Sequence, residues 1–494
     1  MKAALRATAI LSSGTFVKVA AGVAVAKAWA VLVGPAGVGS LGLMQSLVGL
    51  VSILAGMGVG TGMIRLGAAA LGLSDRAGAD AITRAALVLS GTGAVMAALF
   101  VVLFRGPLGR ALLDGSLPLG DAVWLGAAVG LTVLTATQLG VLNAHQRVGS
   151  LARATIWGSL GAAVAGVWVL WLMRAEGLVQ SYVVGLFVIS AASTWELKRS
   201  IVPPSKPVGL GALRAAVGRL LRFGLPFTAS ALVGAGVMFA LPVVVLHVLD
   251  VEAVGMYRAS LTVTAGYLGF LVASMAQDYY PRLSAAAEVD VGQIVNDQLR
   301  LVLLIGVPVI LVAQATSVWI VPLIYAPSFA PAVRVLEWQL TGELFRFWSF
   351  GFAFVILARK SSVAFFAVEA MGGILLLGCT WGGLILNGLI GSGMGFAAAY
   401  VGYAAVVWGS VRWSSGVVVP TGTVVLMGGA VTTSLAIHAL TALSPGLPGR
   451  AAALVLASLV AAGCAQALWR TVRRSGVRED STSPDSPKLN DGLA

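Results

Sequence analysis

Apolar residues run along this chain in stretches of helix length, and polar residues collect in the short intervals between them. Runs of about 20 or more residues, enough to cross a bilayer as a helix, cover 7–33, 38–64, 84–104, 121–142, 154–173, 178–197, 221–248, 253–277, 299–325, 333–357, 362–386, 390–411, 418–440 and 450–469. The pattern predicts an all-α polytopic membrane protein with fourteen transmembrane helices. The first run lacks a convincing cleavage site and reads as a retained helix rather than a signal peptide. The intervals on one side are very short, such as Gly34-Pro35-Ala36-Gly37 and Asn387-Gly388-Leu389. No sizeable domain is expected on that side of the membrane.

Composition agrees. Hydrophobic residues make up 58% of the 494 positions and charged residues 10%, too little polar surface to cover a soluble globule. The 62 glycines, mixed with alanine inside the apolar runs, suit helices that approach closely in lipid. Gly56, Gly58, Gly60 and Gly62 fall in this class, because no soluble βαβ pattern surrounds them that would make a nucleotide loop. Cys379 and Cys464 both lie in apolar segments, and His145, His247 and His438 are scattered, so neither a disulfide framework nor a metal site is expected. No cofactor is indicated.

The net charge of +13 is largely a topology signal. With both termini in the cytoplasm, 23 of the 32 lysines and arginines fall in cytoplasmic ends or loops and 5 on the far side. That bias follows the positive-inside rule and removes any need for a nucleic-acid partner. The interval at 201–217 reads as a basic cytoplasmic linker on an anionic leaflet. It divides an N-terminal lobe of six helices, 1–200, from a C-terminal lobe of six, 218–412. Two appended helices occupy 413–472, and a Ser-, Pro- and Asp-rich tail at 473–494 is expected to be disordered.

An internal echo supports the lobes. Val38-Gly39 opens the second span, which is followed by Arg65-Leu66-Gly67-Ala68-Ala69. Val254-Gly255 opens the eighth, followed by Arg282-Leu283-Ser284-Ala285-Ala286. Six helices separate the copies, so the lobes should be related by a pseudo-two-fold axis along the membrane normal. Fully apolar, the appended helices at 418–440 and 450–469 are expected to be peripheral, with nothing to bury away from lipid.

Four cations remain inside spans: Lys18, Lys27, Arg258 and Arg346. A charge in hydrocarbon costs several kcal/mol, so such residues usually line a polar pathway or hold an anion. Lys18 is close to mid-membrane at ~1.5 Å per residue, and ligand duty is favoured over a structural pair with a carboxylate such as Glu369. Lys27 and Arg258 are near enough to the far face to snorkel. Lys18 and Lys27 fall on opposite faces of a straight helix and can share one cavity only if it bends, for which Gly22 is a candidate. Glu343 and Arg346 are three residues apart, either a simple intrahelical pair or a ligand oriented by its neighbour. Glu369, near Arg359 and Lys360, reads as a packing salt bridge, with proton coupling the alternative. Arg65, Arg282, Arg359 and Lys360 form a cytoplasmic rim. Pro226, Pro242 and Pro308 interrupt long spans and are candidate hinges.

A family resemblance adds a function. It is carried by Thr15-Phe16-Val17-Lys18 through Lys27 to Gly34-Pro35-Ala36-Gly37, by Val254-Gly255-Met256-Tyr257, and by Tyr280-Pro281-Arg282-Leu283-Ser284. The most specific part runs from Phe329 to Glu369, with Glu337-Trp338-Gln339-Leu340-Thr341-Gly342-Glu343 and Ala358-Arg359-Lys360-Ser361-Ser362. Over about residues 5–412 the chain resembles Wzx-type flippases of the multidrug/oligosaccharidyl-lipid/polysaccharide (MOP) exporter superfamily, closest to those for O-antigen and enterobacterial common antigen intermediates. The resemblance implies translocation of an undecaprenyl-pyrophosphate-linked oligosaccharide across the bacterial inner membrane in polysaccharide biosynthesis. It also implies alternating access between lobes, with polysaccharide polymerase machinery as a candidate partner. Two departures stand out: the appended helices, and Arg258 where a neutral polar residue is usual. The alternatives are a cation-coupled multidrug exporter, which needs a cavity carboxylate, and a membrane polymerase or glycosyltransferase, which needs acid, base or metal residues at a membrane face.

Overall fold

The computed structural model describes residues 2–112, 117–201, 208–269, 279–359, 362–444 and 446–481. Lys360, parts of the linker, the eighth span and the tail lie outside them. Every regular element among the described residues is helical. In chain order these are α1 (Lys2–Gly56), α2 (Val59–Gly72), α3 (Arg76–Leu103), α4 (Arg105–Leu112), α5 (Leu119–Ala144), α6 (Val148–Met173) and α7 (Leu178–Ser200). Then follow α8 (Leu210–Val248), α9 (Val251–Leu261) with a π-helical continuation Thr262–Leu268, α10 (Glu288–Ala315), α11 (Ser317–Ile324), α12 (Ala332–Arg359), α13 (Ser362–Ser415), α14 (Thr421–Leu443) and α15 (Leu447–Ser481).

Ten of these helical stretches are long and apolar enough to cross a membrane. Several hold more than one of the expected spans. The dihedrals of α1 leave the helical region at Gly34 (φ 68°, ψ −171°), a left-handed conformation that glycine adopts without a Cβ clash, and Pro35 follows. The same happens in α13 at Asn387 and Gly388. Both breaks coincide with connections read from sequence. At Gly22, by contrast, α1 keeps helical dihedrals, so the bend expected there is absent. Polar residues set other boundaries: Asp75 accepts from Gly78 N at 2.8 Å and Asp250 from Ala253 N at 2.7 Å, capping α3 and α9.

The chain forms two compact units: residues 1–268, 318–339 and 362–403 in the first, and 269–317, 340–361 and 404–494 in the second. In the first, Leu43, Leu47, Val129, Val245, Tyr257 and Phe396 belong to one buried apolar cluster. Its helices make very close backbone approaches. A Cβ on Gly39 would stand 2.0 Å from Val251 O, and one on Gly255 would stand 1.9 Å from Pro35 O. The two echoed glycines therefore lie face to face where α1 crosses α9. A Cβ on Gly58 would stand 2.5 Å from Gly224 O, one on Gly60 3.3 Å from Ala136 O and one on Gly62 3.2 Å from Leu220 Cδ2, so these three are packing positions, whereas Gly56 has nothing within 4 Å.

In the second unit the structure differs from the expectation of peripheral C-terminal helices. Ser434 of α14 donates to Gln314 Oε1 on α10 at 2.9 Å and lies 2.8 Å from Thr341 Oγ1 on α12. Gln314 Nε2 returns a hydrogen bond to Ser434 O at 3.3 Å, and His438 Nε2 is 3.1 Å from Thr341 Oγ1. Gln314, Thr341 and Ser434 are all buried. Hydroxyls and an amide do not register as charge in a hydropathy reading, yet in lipid they need partners as charged groups do. These bonds make α14 part of the unit's core.

Candidate functional site

Two halves of one helix and the end of another line a cavity in the first unit. Gly22, Val25, Ala26 and Trp29 precede the Gly34 break; Val38, Leu41, Gly42 and Gln45 follow it. Arg258 and Thr262 come from α9 and its π-helical continuation, and Tyr325 follows α11. The cavity volume is about 300 Å³. Because residues at similar distances before and after Gly34 line the same space, the halves of α1 fold back as a hairpin. The crossing of Gly39 with Gly255 brings α9 against that hairpin and so delivers Arg258.

Arg258 is the charged residue in the lining. Its Nη1 donates to Ser46 Oγ and its Nη2 to Gln45 Oε1, each at 3.2 Å. Both acceptors are neutral, and among the described residues no carboxylate pairs with it. Rather than snorkelling, the guanidinium is anchored to the second half of α1. Lys27 does something else. Its Nζ donates to Pro322 O at 2.7 Å, a carbonyl in the last turn of α11 that the helix itself leaves open. Lys27 therefore restrains a helix end and is absent from the cavity lining. Lys18 is exposed on the first half of α1. The nine-residue separation keeps the two lysines on opposite faces, because the helix is unbroken between them.

The remaining charges separate by environment. In the second unit, Arg346 Nη1 donates to Glu343 Oε1 at 2.9 Å, and Glu343 is fully buried with Oε2 unpartnered among the described residues. Loss of the cation should be the damaging half of this pair. Arg346→Leu strands a buried carboxylate and should lower stability by about 3–5 kcal/mol. Arg346→Leu combined with Glu343→Leu should recover most of that loss in thermal unfolding of the purified protein. Equal stability of single and double variants would show that the pair is not energetically coupled.

Glu369 has a hydroxyl partner within its own unit. Its Oε1 accepts from Tyr403 OH at 2.5 Å, across the two halves of α13, whereas Arg359 donates to Ala286 O. Of the expected rim, Arg282 donates to Gln298 Oε1 at 3.3 Å and Arg65 lies over the Phe223 ring, 4.8 Å from its centroid. Lys360 is outside the described residues. Among the described residues no His, Cys, Asp and Glu cluster suits a metal ion. Sequence reasoning missed Gln45, Trp29, Thr262 and Tyr325. As single neutral residues inside apolar runs they carry no periodic signal, and only the hairpin brings them together.

Known proteins resemble this chain in sequence and in fold. The Lipid III flippase of Escherichia coli (strain K12) is 27% identical over 411 residues, covering 79% of this chain and 94% of that protein. A solved structure described as Lipid II flippase MurJ in an inward closed conformation matches with a TM-score of 0.70 at 10% identity, covering 95% of this chain and 99% of that one. An inward-facing multidrug resistance MATE family transporter of the MOP superfamily matches with a TM-score of 0.68 at 16% identity, covering 83% and 98%. At such identities the two structures establish likeness of fold. Residues 29–334 match the family described as Polysaccharide biosynthesis protein. This chain belongs to that polysaccharide biosynthesis protein family, and its fold is like that of MOP-superfamily transporters.

Proposed function

We propose that the protein is a flippase of the bacterial inner membrane that carries an undecaprenyl-pyrophosphate-linked oligosaccharide from the cytoplasmic to the periplasmic leaflet. The observation that carries this reading is the cavity with Arg258 in its wall, a cation with neutral partners only. Such a site favours an anionic passenger over a cationic drug. Its lining contains no Asp or Glu, which is what a cation-coupled exporter of the same superfamily would need there. The Lipid III flippase relative supports a lipid-linked glycan as substrate.

Transport proceeds by alternating access between lobes 1–200 and 218–412, with fourteen spans and both termini cytoplasmic. Splitting α1 at Gly34, α13 at Gly388 and the α6–α7 stretch at its 3-10 turn raises the ten candidate stretches to thirteen; the eighth span, partly outside the described residues, makes the proposed fourteen, and the charge bias supports the orientation. The meeting of Gly39 with Gly255 supports the pseudo-symmetry, since equivalent positions of two repeats touch where the axis passes between them. Lys18, exposed on the first half of α1, meets the pyrophosphate; Arg346, held by Glu343 in the second unit, is a further candidate for ligand binding there. An inside-negative potential favours the outward step: two net negative charges crossing 100 mV gain about 4–5 kcal/mol.

Reconstitution tests the proposal. Proteoliposomes with a labelled prenyl-pyrophosphate oligosaccharide in one leaflet should show glycan appearing on the other. Lys18→Arg should retain this activity and Lys18→Ala should lose most of it, at equal amounts of folded protein. Full transport by the alanine variant would reduce Lys18 to a packing residue. No movement of glycan by the native protein, with active export of a cationic dye, would replace the flippase reading with the exporter.

A further inference from the structure

The cavity beside Arg258 has a depth as well as a charge. Val38 lies four residues after Gly34 and Gly22 twelve before it, so at ~1.5 Å per residue the cavity reaches from about 6 Å to about 18 Å below that break. In a hydrocarbon core of about 30 Å, this is the half nearest the Gly34 connection, extending to the midplane. Under the proposed topology that half is periplasmic. A pyrophosphate on a prenyl chain in the cytoplasmic leaflet sits at headgroup depth on the other side. Lys18, sixteen residues before Gly34 and so about 24 Å from it, is nearer than the cavity to the side where the pyrophosphate starts. The cavity is at the depth for the far end of the glycan.

Its chemistry suits a sugar with an acidic group. At about 300 Å³ it is at the small end of ligand sites. That size admits a sugar ring or two and excludes a whole oligosaccharide or a prenyl tail. Trp29 and Tyr325 supply aromatic surface, Gln45 and Thr262 supply polar atoms, and Trp29 Nε1 is a buried donor with no partner among the described residues. Arg258 offers the planar fork that matches a carboxylate. Room for that fork is made by Gly42, where a Cβ would stand 2.9 Å from Arg258 Nε.

We infer that this cavity is a specificity subsite for the distal part of the glycan, receiving a sugar that carries a carboxylate. The inference rests on the flippase reading for its orientation, but binding can be measured without transport. The full-length protein in detergent would be titrated calorimetrically with three probes. These are a lipid-free trisaccharide ending in a uronic acid, the same trisaccharide with its carboxyl reduced to an alcohol, and inorganic pyrophosphate. The native protein should bind the acidic trisaccharide about tenfold more tightly than its reduced twin, the scale of one charge-assisted contact. R258Q should erase that preference and R258K should keep part of it. G42A, which displaces the guanidinium and retains the charge, should also weaken it. Pyrophosphate binding should depend on Lys18 more than on Arg258.

Equal affinity for the two sugars, or none for either, would overturn the assignment. So would loss of pyrophosphate binding in R258Q with the sugar preference intact, which would put the phosphates in this cavity. If R258Q does not fold, R258K and G42A decide the matter by the same comparison. A native protein that discriminates between the sugars yet moves no lipid-linked glycan would defeat the flippase reading and leave the subsite standing.

Discussion

Truncation after Trp413 should yield a protein that fails to fold, not a twelve-helix core with reduced transport. Removing α14 takes Ser434 and His438 away from Gln314 and Thr341, whose side chains are buried on α10 and α12. Each polar group left unpartnered out of water costs about 1–3 kcal/mol. The loss extends beyond that network. Asn296 Nδ2 on α10 donates to Val418 O at 3.0 Å, and α15 packs along α10, with Ala453, Ala457 and Cys464 buried. Fluorescence-detected size exclusion and thermal unfolding of the truncated chain check this. A monodisperse truncation with native thermal stability would return α14 and α15 to a peripheral role. The milder variant Ser434→Ala isolates the network and should lower stability by about 1–2 kcal/mol.

Gly255→Ala should be nearly as damaging, for a different reason. The added Cβ meets the Pro35 carbonyl at 1.9 Å, and the reciprocal change, Gly39→Ala, meets the Val251 carbonyl at 2.0 Å. Neither obstacle is a flexible side chain, so α1 and α9 must move apart. Forced overpacking of this kind costs about 1–3 kcal/mol. It also separates Arg258 from Gln45 and Ser46 and opens the cavity wall. Both effects are measurable: a lower midpoint of thermal unfolding, and faster labelling of Gln45→Cys by a membrane-impermeant thiol reagent. Gly49→Ala, with nothing within 4 Å of the new Cβ, is the control and should behave as the native protein. Native stability and labelling in Gly255→Ala would mean that the crossing is looser than drawn.

Much of this protein was legible in one dimension because lipid imposes local rules. A bilayer requires long apolar helices with internally satisfied backbones, so span positions follow from composition alone. Connections also announce themselves: Gly34-Pro35 and Asn387-Gly388 mark the two helix breaks, because glycine and proline act on their own backbone. The echo of Val38-Gly39 in Val254-Gly255 identified positions that prove to touch, although sequence gave only their similarity. Intramembrane cations were conspicuous for the same energetic reason, but their duties were not.

Those duties depend on partners far away in the chain. The acceptor for Lys27 lies 295 residues downstream, and those for Arg258 lie 212 and 213 residues upstream. Proximity in sequence pointed from Glu369 to Arg359 and Lys360, and gave no sign of Tyr403, 34 residues on, whose hydroxyl donates to it. The appended helices looked idle because serine, threonine and histidine scarcely change an apolar run, whereas buried Gln314 exchanges hydrogen bonds with Ser434 of α14. By itself the sequence determined which stretches are long and apolar enough to cross a membrane, where two of the long helices break and which charges are costly, since each is settled within one helix and its solvent. Tertiary structure alone decided which cation faces a cavity, which one clamps a helix end and which helices are core. These are settled by directional contacts at a few ångströms, and only helix crossings bring such groups within reach.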